Sequence, residues 1–164
     1  MTERFGAEVE CRPFDLHPEY PPEGVPRGEV SPQMVETFAA NGLAWNPPPV
    51  RPNSMGALRL AEHARAQGRF DAMHRRLMDA YWAEAKDIGS TDVLRALAAD
   101  AGVEDADEVL ETDAYLDAVR GSTREAQLLG VTGVPAFVLA GRLLVLGAQP
   151  TETFERAVAQ VAVS

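Results

Sequence analysis

Hydrophobic and polar residues change rhythm twice along this chain, and the middle stretch is the most regular. There, Phe70, Met73, Leu77 and Tyr81 recur at three- and four-residue spacing, with Met78 and Trp82 widening the stripe. That spacing predicts an amphipathic helix. Just before it, Asn53 or Ser54 caps a helix that runs through Gln67 and stops at Gly68. Ser90 or Thr91 opens another, with Val93, Leu94, Leu97 and Ala101 inward and Gly102 at its end. Glu104, Asp105 and Asp107 suit the start of a short helix. Thr112 then caps a long one through Leu116, Val119, Thr123 and Ala126 to Gly130.

The two ends read differently. Residues 136–140 and 143–146 are apolar runs separated by Gly141-Arg142, which predicts a type II′ hairpin with glycine first. Pro150 opens a last helix that turns Phe154, Val158 and Val161 toward the sheet. At the other end, residues 7–12 alternate like a short strand, with Val9 and Cys11 on one face and Glu8, Glu10 and Arg12 on the other. Ten of the twelve prolines lie between Pro13 and Pro52, so this region is loop except for one helix. That helix starts at Pro32 after Ser31, carries Met34, Val35 and Phe38 inward, and stops near Asn41-Gly42. Pro47-Pro48-Pro49 then forces extended backbone. The expected order is strand, four to six helices, strand, strand, helix: an α/β fold in a single domain over residues 1–164, with a helical insertion at about 53–130.

Composition narrows the partners. At 164 residues with 46% hydrophobic and 24% charged content, the chain is an ordinary globular domain. A net charge of −10 argues against nucleic acid and anionic membrane, both of which need a positive footprint. No basic-then-apolar leader opens the sequence and no apolar run approaches the roughly 20 residues of a bilayer span, so the expected location is cytoplasmic. One cysteine, Cys11, offers no disulfide framework. Cys11 is expected to be a small buried hydrophobe on the strand's inner face. His17, His63 and His74 lack metal-ligand spacing and are expected at the surface or in loops, so no metal is assigned. Asn53 and Ser54 are within reach of a ligand near an active face, but helix capping already explains them.

The segment richest in information is Gly130-Val131-Thr132-Gly133-Val134-Pro135, followed by its apolar hairpin. Pro135 cannot donate to a sheet ladder and belongs at the first residue of a strand or at a bend. This segment resembles the loop of thioredoxin-fold proteins in which a cis-proline faces the active site. Taken with Arg12-Pro13-Phe14-Asp15-Leu16-His17-Pro18, Asn53-Ser54 and Gly147-Ala148-Gln149-Pro150, the chain resembles the DsbA-like branch of that fold. Within the branch it is most similar to the FrnE-type oxidoreductases.

The resemblance implies a thioredoxin-like sheet with a helical insertion and a thiol–disulfide oxidoreductase activity. It places Val134 and Pro135 against the substrate, an extended peptide or glutathione. It also implies a first strand, a Cys-x-x-Cys turn and a helix, of which Glu3-Arg4-Phe5-Gly6 looks like the end; roughly 30 residues of strand, helix and loop would then be lacking. No residue here inherits the nucleophilic thiol, so no catalytic residue and no cofactor is assigned, and the chain by itself is expected to be inactive. Without that central strand two edges would face a gap. The expectation is that residues 7–12 move into the vacancy or that a second copy fills it, as a homodimer. Two alternatives stand beside this reading. One is a relative of the kappa-class glutathione transferases and 2-hydroxychromene-2-carboxylate isomerases, which put a serine where the first cysteine would be. The other is a non-catalytic binding module.

Overall fold

The structure, a computed structural model, describes residues 5–162. In chain order its elements are β1 (Val25–Pro26), α1 (Pro32–Ala40), β2 (Val50–Arg51), α2 (Met55–Ala66), α3 (Phe70–Trp82), α4 (Thr91–Asp100), α5 (Ala106–Leu110), α6 (Leu116–Leu128), β3 (Ala136–Leu139), β4 (Leu143–Leu146) and α7 (Thr151–Ala162). They divide into two compact units, His17–Val119 and Met1–Leu16 with Arg120–Ser164. No helix of the described residues is long and apolar enough to cross a membrane.

The unit of His17–Val119 is built on helix packing. The apolar stripe of α3 buries Met73, Leu77 and Ala80 against Leu60, Ala61 and Ala64 of α2 and Leu94, Leu97 and Ala98 of α4. Large and small residues alternate across these contacts, so helix axes approach closely while leucines fill what the alanines leave. Each fully buried leucine contributes about 1.5–3 kcal/mol of burial. Gly68 and Gly102 follow α2 and α4 with φ of +69° and +68°, the left-handed geometry that turns a chain out of a helix. α1 is the exception to the sequence expectation. Phe38 turns inward and packs edge-on against Trp45, with ring centroids 4.7 Å apart, but Met34 and Val35 stay exposed. One aromatic anchor holds this helix, because its neighbouring loops are too proline-rich to supply an apolar surface along its whole length.

Arg59, on α2, ties the helices to the loop that follows α5. Its guanidinium donates to the carbonyl oxygens of Val109 and Thr112, and its Nε donates to that of Ala114 at 2.7 Å. Burial pulls its pKa below the usual arginine value, while Asp113 opposes the shift. Arg27 does similar work for the proline-rich region: its Nε donates to Pro48 at 2.8 Å and its guanidinium lies over the Tyr81 ring at 5.2 Å from the centroid. The strands β1 and β2, two residues each, pair antiparallel as Val25↔Arg51 and Pro26↔Val50.

The unit of Met1–Leu16 with Arg120–Ser164 holds the β3–β4 hairpin, α7 and the C-terminal part of α6. The hairpin turn falls one residue earlier than its sequence suggests. Ala140 and Gly141 both have positive φ, +50° and +69°, and Arg142 N–H closes the turn on Leu139 C=O at 3.1 Å. Those φ values and that bond fit a type I′ turn, one of the two hairpin turns whose twist matches the flanking strands, in place of the expected type II′ at Gly141-Arg142. The strand expected over residues 7–12 is absent: these residues have no regular structure and join no ladder. Alternation specifies which side chains share a face, but a strand also needs a ladder, and no ladder among the described residues includes this segment. Of the expected helix end at residues 3–6, Glu3 and Arg4 lie outside the described residues.

Two outcomes follow from these contacts. Arg59→Met leaves three carbonyls without their charged donor and should lower the free energy of unfolding by about 2–3 kcal/mol in urea denaturation, with Arg59→Lys recovering part of it. Glu84 accepts two hydrogen bonds from Arg76, at 2.9 Å each, and one ion pair from Lys86 at 2.8 Å; the Arg76 bonds chiefly hold its carboxyl below the ordinary value of 4.5. A depressed acid stabilises the fold above its ordinary value and loses that contribution as pH falls through the depressed one. Carboxyl NMR titration should therefore place Glu84 below 4.5 in the native chain and nearer it in Arg76→Met.

Candidate functional site

The parity of the hairpin determines what its free side offers. β3 and β4 pair antiparallel as Ala136↔Leu146, Phe137↔Val145, Val138↔Leu144 and Leu139↔Leu143. One step further along, Gly147 N–H donates to Pro135 C=O at 2.8 Å. Hydrogen-bonded pairs alternate with non-bonded ones, so Phe137 and Leu139 exchange bonds with β4 while Ala136 and Val138 direct their own N–H and C=O away from it. β3 has no second neighbour in its sheet among the described residues. The side chains alternate as well. Phe137 meets Phe154 of α7 edge-on at 4.9 Å with Val145 buried beside it, whereas Val138 and Leu146, on the opposite face, are exposed.

Alongside the free edge of β3 lies a cavity of about 470 Å³. Val134, Ala136 and Val138 form one wall, residues 8–14 contribute Glu8, Glu10, Arg12, Pro13 and Phe14, and α6 contributes Ser122, Glu125, Ala126 and Leu129. Two hydroxyls hold the second wall in place. Ser122 Oγ donates to Pro13 C=O at 2.8 Å, and Asp15 N–H donates to Thr123 Oγ1 at 2.9 Å. Both hydroxyls belong to buried residues and their partners are half-buried, so the bonds are partly shielded from water. Arg12 adds an ion pair to Glu125 at 2.9 Å and a looser one to Glu10 at 4.0 Å; with these side chains more than half exposed, their worth is small.

Val134 lines this cavity, and Pro135 follows it in the chain. The peptide bond between them is cis. Val134 is 55% exposed and lines the cavity, while Pro135 is anchored to β4 through its carbonyl. Cys11 is exposed, contrary to the burial expected for it. With no strand formed over residues 7–12 there is no sheet face to bury it, and the cavity takes Glu8, Glu10 and Arg12 from its segment instead.

His63 also departs from expectation. It is buried on α2, its Nε2 lies 2.8 Å from Glu104 C=O, and its ring meets Tyr115 edge-on at 5.6 Å. Helical period places it on the packed side of α2, so its polarity misled and its position did not. His17 is partly exposed and stacks on Tyr20 at 4.3 Å; His74 is exposed and stacks on Phe70 at 5.5 Å. Asn53 takes its place in structure, donating to Tyr20 C=O at 2.8 Å and accepting from Met55 N–H at 3.0 Å, while Ser54 makes no side-chain cap.

Sequence reasoning placed Thr123 on α6 but missed the work of Ser122 and Thr123. The available signal was a pair of adjacent hydroxyls, one on the apolar stripe of a long helix, where such residues need a partner. A second hollow, of about 520 Å³, lies beside Arg95 in the other unit, where that guanidinium is already committed to Asp92, Asp107 and Glu111. The cavity at β3 is lined by outward-turned strand residues, by apolar side chains and by the charged Glu8, Glu10, Arg12 and Glu125, and its lining contains no cysteine.

If the hydroxyls hold the wall, Thr123→Val should speed amide exchange at Asp15 about tenfold, the equivalent of roughly 1.4 kcal/mol, by orphaning a donor. Ser122→Ala should loosen the same segment less, since it leaves only an acceptor. Residue-resolved hydrogen exchange by NMR reads both.

Known proteins share this architecture. The family model described as DSBA-like thioredoxin domain matches residues 1–159. The uncharacterized protein YwbO of Bacillus subtilis (strain 168) is 29% identical over 162 residues, covering 92% of this chain and 80% of YwbO. The crystal structure of the probable DsbA oxidoreductase of Streptomyces coelicolor superposes with a TM-score of 0.82 at 32% identity, covering 96% of this chain and 76% of that one. A structure from Nitrosomonas europaea, at 14% identity and a TM-score of 0.60, covers 88% of this chain and 80% of its own, and shares the fold alone. With a helix-dominated α/β architecture and a family match over nearly its whole length, the chain belongs to the DSBA-like thioredoxin domain family.

Proposed function

We propose that these 164 residues are the substrate-presenting body of a thiol–disulfide oxidoreductase of the FrnE-type branch, working in the cytoplasm. The observation that carries this reading is the exposed Val134 beside Pro135, lining a cavity alongside β3, in a chain of the DSBA-like family. An extended peptide or glutathione would lie across Val134, with its sulfur near the cavity mouth. Val134 supplies apolar contact and main-chain hydrogen bonds, the usual means of holding a strand-like ligand.

Disulfide exchange needs more than this. A thiolate attacks one sulfur of the substrate disulfide, the other sulfur leaves as thiolate, and a second enzyme thiol then displaces the first from the mixed disulfide. Two electrons pass to the substrate and both enzyme sulfurs end joined. These residues hold one cysteine, so they bind substrate without completing that cycle.

Insulin reduction by this polypeptide should therefore stay at the uncatalysed rate, with Cys11→Ala indistinguishable from it. Addition of oxidised glutathione or a cysteine-containing peptide should shift the amide resonances of Val134 and Ala136, and Val134→Glu should weaken that binding about tenfold. Turnover that disappears in Cys11→Ala would place the active centre at Cys11 and overturn the proposal. Unchanged Val134 resonances at saturating ligand would remove the substrate-facing role.

A further inference from the structure

The C-terminal end of α1 holds a chemically labile pair of residues in an open position. The chain has three asparagines, and each is followed by a different residue: Gly42 after Asn41, Pro47 after Asn46 and Ser54 after Asn53. An asparagine loses its amide when the next residue's backbone nitrogen attacks the side-chain carbonyl carbon, a step that glycine crowds least and that needs an N–H proline does not have. Asn53 is half-buried and held through both atoms of its amide, which donates to Tyr20 C=O at 2.8 Å and accepts from Met55 N–H at 3.0 Å. At the other pair, Asn41 and Gly42 are both exposed, and nothing lies within 4 Å of where a Gly42 Cβ would be. Two bonds guard it: Asn41 Nδ2 donates to Thr37 C=O at 2.8 Å, and Gly42 N–H donates to Ala39 C=O at 3.0 Å. Both belong to the helix's last turn, which Leu43 N–H closes on Phe38 C=O at 2.9 Å with Gly42 at φ +67°, as in a Schellman cap. That turn is tied down by one side chain, since Phe38 is the only residue of α1 that is not exposed.

We propose that Asn41 is a site of spontaneous deamidation, opened by fraying of the last turn of α1, and that the reaction works this helix loose from its aromatic anchor. When the two guarding bonds open, Gly42 N gives up its proton and bonds to Asn41 Cγ; the Cγ–Nδ2 bond breaks and ammonia leaves. Water then opens the cyclic imide at either of its carbonyls, giving aspartate or isoaspartate. A water is consumed for each ammonia released, and no electrons change hands. Both products replace the amide donor to Thr37 C=O with a carboxylate at the negative end of the helix dipole. Isoaspartate also adds a carbon to the main chain, so the cap bonds lose their register. Phe38 is then freed from Trp45 and Trp82, whose ring centroids lie 4.7 and 5.2 Å from its own. These are the chain's two tryptophans, so their emission reports the loosening.

The test ages the 164-residue chain at mildly alkaline pH in oxygen-18 water and maps its peptides by mass spectrometry. Labelled aspartate and isoaspartate should accumulate at Asn41 while Asn46 and Asn53 stay intact. Tryptophan emission should move to the red in step with conversion, and freshly made Asn41→Asp should shift it in the same direction. Phe38→Ala should speed conversion about tenfold, because local opening becomes easier as apolar contact is lost. Phe38→Leu, which keeps most of that contact, should speed it less, and the chain in urea sets the upper limit. Circular dichroism should show the other helices intact in both variants, since Phe38 lies outside their shared core. The proposal is overturned if Asn41 stays intact in the native chain while it converts in urea. Equal rates in Phe38→Ala and the native chain would also overturn it, as would emission that is unchanged at full conversion.

Discussion

Ser122 and Thr123 stand side by side on α6, and each uses its hydroxyl to hold a backbone group of residues 13–15. These bonds seat Pro13 and Asp15 on α6, next to the segment that carries Glu8, Glu10 and Arg12 along the second wall of the cavity beside β3. The bonds matter because no ladder does the job. A segment with alternating residues but no strand partner must find hydrogen bonds elsewhere, and here side chains supply them at Pro13 and Asp15. The surface exchange of ion pairs around Arg12 is too exposed to replace them.

The two units solve the problem of stability differently. In the helical unit, Leu60, Met73, Leu94 and Leu97 are each fully buried, and the closed core is fastened by Arg59 through three carbonyls. The unit with the hairpin buries Val131, Val145 and Ala157 but leaves Leu128, Leu129, Val134, Val138 and Leu146 exposed. Of these, Leu129, Val134 and Val138 line the cavity beside β3.

What could be read from the chain beforehand follows the range of the interactions. The helices of residues 55–66, 70–82 and 91–100 were legible because a 3.6-residue period, a glycine stop and a capping residue all lie within one local window. The DsbA-like fold was legible from the Gly130–Pro135 segment and its hairpin, since turn, proline and strand occur in sequence. Residues 7–12 were not legible, because whether alternation becomes a strand depends on a neighbour far along the chain. Cys11 went wrong for the same reason: its burial was inferred from a sheet that does not form there. The hairpin turn was displaced by one residue because Ala140 takes a positive φ that alanine seldom adopts, and local preference gave way to strand register. The groove was readable only in pieces, as its walls come from residues 8–14, 122–129 and 134–138, brought together by folding.

The alternation along β3 also governs how this chain can drift over generations. Phe137 and its neighbour Val145 are fitted to Phe154 of α7, so a change in volume at any of them must be answered by the others. Ala136 and Val138 turn their main-chain groups away from β4, and every residue but proline carries the N–H of that pattern. The inner face of the hairpin is therefore conservative and its outer edge permissive. A lineage could exchange one aliphatic residue for another along that edge with its backbone pattern intact, while a single proline would erase it.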